Sequence, residues 1–362
     1  MKVGILTFHR AQNFGAMLQA HALQKVIESL GNECEIIDYR CIKLEESYKN
    51  FIVPNKSLKG VMSGIIHFPN RYRRAKKFGR FSKKYYKLTK QAYTPDTISD
   101  AGDKFDACVV GSDQVWNPNI TDSDLNYFLD FVSNQKRKIS YAASLGVSDF
   151  DENLERYLNK NLKTFKKISV REDSAVPMLH RIAGITPEVV LDPVFLVDVT
   201  YWESLAKIGE DAIPGKYVFL YELHEHMTRE YAEKVAYEKG MEVLLIPNDL
   251  RGGIRGVKKY APTVENFLQY IKNAEFVVTD SFHVVAFSII FQKQFAVLLK
   301  REQKNLNTRL VSLLDKLDLD TRIVEDISDV EAISAPIDYN KTKLKLEKLR
   351  EKSMAFLEGA LE

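Results

Sequence analysis

The sequence predicts an α/β protein made of two successive Rossmann-like units. Three observations carry this: an opening β-α-β pattern over residues 2–39, short β-branched runs alternating with amphipathic stretches, and a second series of the same alternation from about residue 189. A length of 362 residues favours two domains over one. A hydrophobic content of 45% with 28% charge excludes a disordered chain, and no apolar run reaches the length of a membrane span. The net charge of +3 is nearly balanced and says nothing about nucleic acid, and no nucleic-acid partner is expected. Cys34, Cys41 and Cys108 lack metal-ligand spacing and fit a reduced protein. His9 and Arg10 interrupt the first apolar run too early for a signal peptide, so the expected location is the cytoplasm.

Residues 2–8 read as a buried first strand, followed by a polar loop and a helix over about 16–30, stopped by Gly31. Residues 33–39 return to strand character, which requires a parallel pair and a right-handed crossover. Further strands are predicted over 105–110, 138–141 and 167–170. The second series places strands at 189–191, 217–221, 242–246, 276–278 and 295–298, with helices over 229–239 and 264–273 among them. The expected division is 1–185 and 186–335, with a terminal helix over 336–362 packing back across both. Residues 40–100 break the rhythm, and a basic helical insertion is expected over about 55–92. From Arg71 to Lys90 there are ten basic residues and no acid. Phe68, Tyr72, Ala75, Phe78, Phe81, Tyr85 and Leu88 recur at helical spacing with the basic residues on the other face.

The segment Val277-Val278-Thr279-Asp280-Ser281-Phe282-His283 carries the most chemistry. A buried strand ends in Thr-Asp-Ser, and a histidine stands at the start of an apolar helix over 284–291. Such a turn collects free N–H groups and the positive end of a helix dipole, which favours an anion. His283 adds a group able to carry a proton or charge near neutral pH. A histidine satisfied by a backbone carbonyl is the competing reading.

Other strand-end turns add polar groups. Asn13 and Gly15 open the first helix, with Gln19 in its early turns; this is a sugar- or anion-binding start or an ordinary loop. Asp113, Gln114, Trp116 and Asn117 follow a strand, a combination suited to hydroxyl recognition and stacking on a sugar face, or to an Asx-turn beside a core Trp. Ser144 lies among small residues that leave room for a ligand. Arg171 stands just outside a strand, where its fork suits carboxylate or phosphate, unless Glu172 or Asp173 takes it. Asp122-Ser123-Asp124 matches a DxD triplet but looks like a solvated loop, so no metal is expected.

Six runs occur in order: 13–19, 110–117, 141–146, 169–173, 191–193 and 279–283. Together they resemble the polysaccharide pyruvyl transferase family over about residues 3–300. The resemblance implies a GT-B-like pair of Rossmann-type domains with the active site in the cleft between them. It also implies transfer of the enolpyruvyl group of phosphoenolpyruvate to a sugar, giving a pyruvate ketal with no further cofactor. It assigns phosphate binding and proton donation to His283, general-base work to Asp113, and donor contacts to Arg171, Ser281 and Arg309. The acceptor side falls to Asn13, Gly15, Gln19, Gln114, Trp116, Asn117 and Ser144. Ser281-Phe282 stands where many relatives carry Arg-Leu, and Val284-Val285 where a related subgroup has Gly-Thr. A nucleotide-sugar glycosyltransferase and a non-catalytic sugar- or anion-binding protein are the rival readings.

Related acceptors are often lipid-linked sugars. The basic, aromatic stretch 68–90 therefore reads either as a peripheral contact with the inner membrane face or as a helix with packed aromatics and a solvated basic face.

Overall fold

In a computed structural model, residues 1–49, 58–132, 137–209, 211, 213, 215–223, 226–247, 256–259, 261–299, 304–328 and 335–362 are described. Two compact units emerge: Met1–Val197 with Leu349–Glu362, and Asp198–Lys348.

The first unit opens with β1 (Lys2–Leu6), α1 (Phe14–Ser29) and β2 (Glu33–Tyr39). Asn13 caps α1 by accepting from the Ala16 amide at 3.1 Å, which supplies one of the helix's unsatisfied donors with a partner. After α2 (Ile42–Lys49) and α3 (Leu58–Tyr85) comes β3 (Leu88–Tyr93). Then follow β4 (Ala107–Asp113), α4 (Pro118–Thr121), β5 (Lys138–Ala143), α5 (Glu152–Asn161), β6 (Lys167–Val170), α6 (Ala175–Ala183) and β7 (Glu188–Val189). The seven strands lie in the order β3-β2-β1-β4-β5-β6-β7, and every pair is parallel. β5 is buried along its whole length and β4 along all but its last residue, which explains their continuous apolar character.

The second unit contains α7 (Val199–Lys207), β8 (Tyr217–Tyr221), α8 (His226–Glu238), β9 (Glu242–Leu245), β10 (Val257–Lys258), α9 (Val264–Asn273) and β11 (Phe276–Thr279). It continues through α10 (Phe282–Ile290), β12 (Gln294–Leu298), α11 (Lys304–Lys316) and β13 (Ile323–Val324). Its six strands run β10-β9-β8-β11-β12-β13, again all parallel. The terminal α12 (Tyr339–Leu361) begins in this unit, and its part from Leu349 belongs to the first.

Three expectations need correction. The division falls at Val197/Asp198 instead of 185/186, because β7 pairs with β6 and extends the first sheet. The stretch after β2 keeps the α/β rhythm, since β3 pairs in parallel with β2; the insertion is a helix plus an edge strand. Residues 55–57 of it, and the side chain of Phe68, lie outside the described residues. Finally, the short edge strands β10 and β13 were not anticipated: two-residue ladders leave no periodicity to read.

Candidate functional site

Each sheet reverses its winding at one point, and ligands of open α/β sheets gather at the carboxyl ends of the strands flanking such a reversal. In the first unit this point lies between β1 and β4; in the second, between β8 and β11.

At the first reversal the polar motif residues form one bonded chain. The Gln19 amide nitrogen, on α1, donates to the Thr7 hydroxyl at 2.9 Å, and that hydroxyl donates to the Ser112 carbonyl at 3.3 Å. The Ser112 hydroxyl lies 3.0 Å from Asp192 Oδ2, which also accepts from Arg171 Nη1 at 2.7 Å. Arg171 Nη2 reaches Asp113 Oδ1 at 3.3 Å. Burial opposes the Arg171 charge, yet Asp192, Asp113 and Glu172 together hold its pKa above the ordinary value. Gln19, Ser112, Asp192 and Arg171 are all buried, while the Asp113 side chain keeps 13% exposure.

Arg171 therefore pairs with two carboxylates, neither of them the Glu172 or Asp173 that sequence proximity suggested. Glu172 turns to the next loop, where it accepts from the Ser144 hydroxyl at 3.0 Å and the Leu145 amide at 2.8 Å. Ser144, fully buried, is thus a scaffold residue. Trp116 is another: it is 1% exposed, donates Nε1–H to the Tyr127 carbonyl at 2.9 Å and stacks on Phe128 at 5.3 Å. It presents no face to a sugar. Asn117 caps α4 and donates to Gln114 Oε1 at 2.9 Å. Gly146 packs against this amide pair: a Cβ there would lie 2.2 Å from Gln114 Oε1, and its φ of +61° also favours glycine. Gly15 is buried inside α1. Asn13, Asp113 and Gln114 remain half-buried and can meet a ligand.

Beside this chain, His9 bridges the Thr7 carbonyl and Asp38 Oδ1, each at 3.1 Å, while Arg10 spans Asp38 and Glu45. Burial works against the Asp38 carboxylate, but His9, Arg10 and Arg40 overcome it and lower its pKa. The DxD triplet is a turn device: Asp122 takes the left-handed cap of α4, and Asp124 accepts from Tyr39 at 2.5 Å.

At the second reversal, the Thr279 hydroxyl donates to the Tyr221 carbonyl at 2.6 Å and accepts from the Ser281 amide at 3.0 Å. Asp280 Oδ1 accepts from the Leu223 amide at 2.7 Å, tying the ends of β8 and β11 together. Ser281 holds the N-cap position of α10 in an extended conformation, but its side chain makes no capping hydrogen bond. His283 sits in the first turn, 7% exposed, edge-on to Phe282 at 5.2 Å. Arg309, half-buried, lies on α11. Sequence reasoning missed Glu222, which follows β8 and pairs with Arg229 of α8. It gave Asp192 no role either; an Asp-Pro after a strand-like run was the available signal, since Asp192 Oδ1 accepts from the Val194 amide.

Several solved structures share this architecture. They include a candidate UDP-N-acetylglucosamine 2-epimerase from Listeria monocytogenes (13% identity over 97% of this chain and 90% of that one, TM-score 0.51). UDP-GlcNAc 2-epimerase from Methanocaldococcus jannaschii, in complex with UDP-GlcNAc and UDP, is similar at 14% identity over 96% and 92% of the chains (TM-score 0.50). The Rickettsia bellii UDP-N-acetylglucosamine 2-epimerase matches at 9% over 98% and 95% (TM-score 0.50). At these identities the likeness concerns the fold alone, a GT-B-type chain of two Rossmann-like units. No curated protein matches the sequence. The profile of the polysaccharide pyruvyl transferase family covers residues 13–299, from the cap of α1 to just past β12, and so takes in β4 at the first reversal and both β8 and β11 at the second. With the six ordered motifs on those strand ends, this establishes that the chain belongs to the polysaccharide pyruvyl transferase family.

Proposed function

We propose that this protein transfers the enolpyruvyl group of phosphoenolpyruvate to a sugar of a surface-polysaccharide precursor and closes it into a pyruvate ketal. The observation that carries the reading is the start of α10, where a helix N-terminus without a side-chain cap stands beside His283. A charge-assisted hydrogen bond contributes roughly 1.5–3 kcal/mol, against about 0.3–1 kcal/mol for the dipole alone. The imidazole is therefore the principal phosphate contact, with Ser281 and Arg309 assisting. Arg171, paired with Asp113 and Asp192, holds Asp113 in place in this reading and leaves the donor to the other unit.

The chemistry balances as an addition followed by a displacement. An acceptor hydroxyl oxygen bonds to C2 of the enolpyruvyl group, its proton passing to Asp113. C3 takes a proton from His283 and becomes a methyl group. A neighbouring hydroxyl then attacks C2, the C–O bond to phosphate breaks, and phosphate leaves with the second proton. Asn13 and Gln114, both half-buried, hold the sugar hydroxyls in this reading. The cytoplasm, where phosphoenolpyruvate is made, is the proposed location.

The test is phosphate release from phosphoenolpyruvate in the presence of candidate glycans, with mass spectrometry of the product. A pyruvate ketal that forms with the parent and not with His283→Ala is the expected result. Stabilisation by a nucleotide sugar, and not by phosphoenolpyruvate, in a thermal-shift titration would transfer the assignment to a glycosyltransferase.

A further inference from the structure

We infer that the outward face of α3 docks on an anionic lipid bilayer; this concerns where the chain works and does not depend on the reaction proposed above. Sequence alone left two readings of this stretch, and the structure divides it between them. Phe78 and Phe81, 3% and 2% exposed, pack inward against α1, where Phe78 meets Phe14 at 4.9 Å and His21 meets Phe81 at 5.9 Å. Tyr72, Arg73, Lys76, Arg80 and Lys83 are exposed. At 3.6 residues per turn these five fall on one side of the helix. Phe78 and Phe81 of the aromatic stripe are core, while Tyr72 and the cationic stripe are surface.

The opposing charge is the deciding feature. No acid occurs between Arg71 and Lys90, so this face is strongly positive on a chain whose net charge is only +3. Among the described residues, no carboxylate pairs with Arg73, Lys76, Arg80 or Lys83. The sequence just before, 58–68, is largely apolar with Lys59 as its single charge, and Tyr72, 58% exposed, stands at the junction. An exposed tyrosine beside a cationic row is what an anionic headgroup layer selects. A single-stranded nucleic acid would need a row of exposed rings on which successive bases could stack, and here Phe78 and Phe81 are turned inward and Tyr72 alone is exposed among the described rings of α3.

The face is firmly presented. Arg74 turns inward: it donates to the Gln12 carbonyl at 3.0 Å and lies over the rings of Phe14 and Phe78, 5.5 Å from each. Tyr86 donates to the Met17 carbonyl at 2.8 Å. Through Arg74, a docked α3 also steadies the loop that carries Asn13, so the bilayer would order one wall of the proposed acceptor site.

The test is co-sedimentation of the full chain with vesicles of phosphatidylcholine alone or of equal parts phosphatidylcholine and phosphatidylglycerol. The parent is expected to pellet with the anionic vesicles only, and less so as salt rises. The variant Arg73→Glu/Lys76→Glu/Arg80→Glu/Lys83→Glu, at exposed positions and with an unchanged melting temperature, should lose partitioning at least tenfold. A control with the same kind of charge change elsewhere, Lys163→Glu/Lys166→Glu, should not. Equal partitioning of parent and quadruple variant overturns the inference, as does an equal loss in the control or binding to labelled single-stranded RNA without binding to vesicles.

Discussion

Arg171 and Asp192 form a fully buried ion pair, Nη1 to Oδ2 at 2.7 Å, that joins the end of β6 to the turn after β7. The pair is completed by Asp113 on one side and the Ser112 hydroxyl on the other. Removing one partner leaves the other charge buried, which costs about 3–5 kcal/mol. Arg171→Ala and Asp192→Ala should each lower the urea midpoint by that order, with the slope unchanged. A donor contact by Arg171 would instead raise the KM for phosphoenolpyruvate while leaving stability near the parent's.

Asp113 differs from its neighbours in being partly open to solvent, and Arg171 keeps Asp192 when it is replaced. Asp113→Asn should therefore fold normally, with a melting temperature close to the parent's. Loss of a general base lowers turnover by roughly 10²–10⁴-fold. Steady-state kinetics with a saturating glycan would show this in kcat, and an unaltered kcat would remove Asp113 from the chemistry.

Trp116→Phe removes the Nε1–H bond to Tyr127 while retaining a ring against Phe128. The Tyr127 carbonyl then loses a buried donor, at about 1–3 kcal/mol. Thermal unfolding should record the loss, and acceptor KM should stay within error of the parent's. A large rise in acceptor KM without a change in stability would restore Trp116 as a sugar platform.

His21 packs among Phe81, Tyr85 and Tyr86 where α1 meets α3. Burial, with a smaller contribution from Lys25, lowers its pKa from 6.5 to about 4. In the unfolded chain it takes a proton near pH 6.5, whereas the folded chain resists until about pH 4. Its contribution is thus fully present above pH 6.5 and is lost as the pH falls toward 4, by about 3 kcal/mol in total. Urea unfolding at neutral pH and near pH 4.5 should show a smaller acid loss in His21→Phe than in the parent.

The strands that form the centre of each sheet were readable in advance. The observed bounds of β2, β6 and β8 are those expected, and in β8, buried at every residue, the reason is plain: a strand buried on both faces writes its length directly into composition. The edge strands β10 and β13 were not readable, and β7, taken for the second unit, belongs to the first sheet; short edges are set by the neighbour that pairs with them. At the sites, the residue types were legible but not their duties. Gln19, Trp116 and Ser144 are residues of the kind a ligand site requires, yet the Gln19 amide nitrogen, the Trp116 Nε1–H and the Ser144 hydroxyl all bond to protein groups elsewhere in the chain.

By itself the sequence determined the α/β class, the order of the six motifs and hence the family, since local composition and spacing encode all three. Which carboxylates claim Arg171, and whether the rings of α3 face inward or outward, was decided only in three dimensions. Asp113 and Asp192 are 79 positions apart in the sequence, and a charge separated that far along the chain finds its partner through the sheet that brings the strand ends side by side.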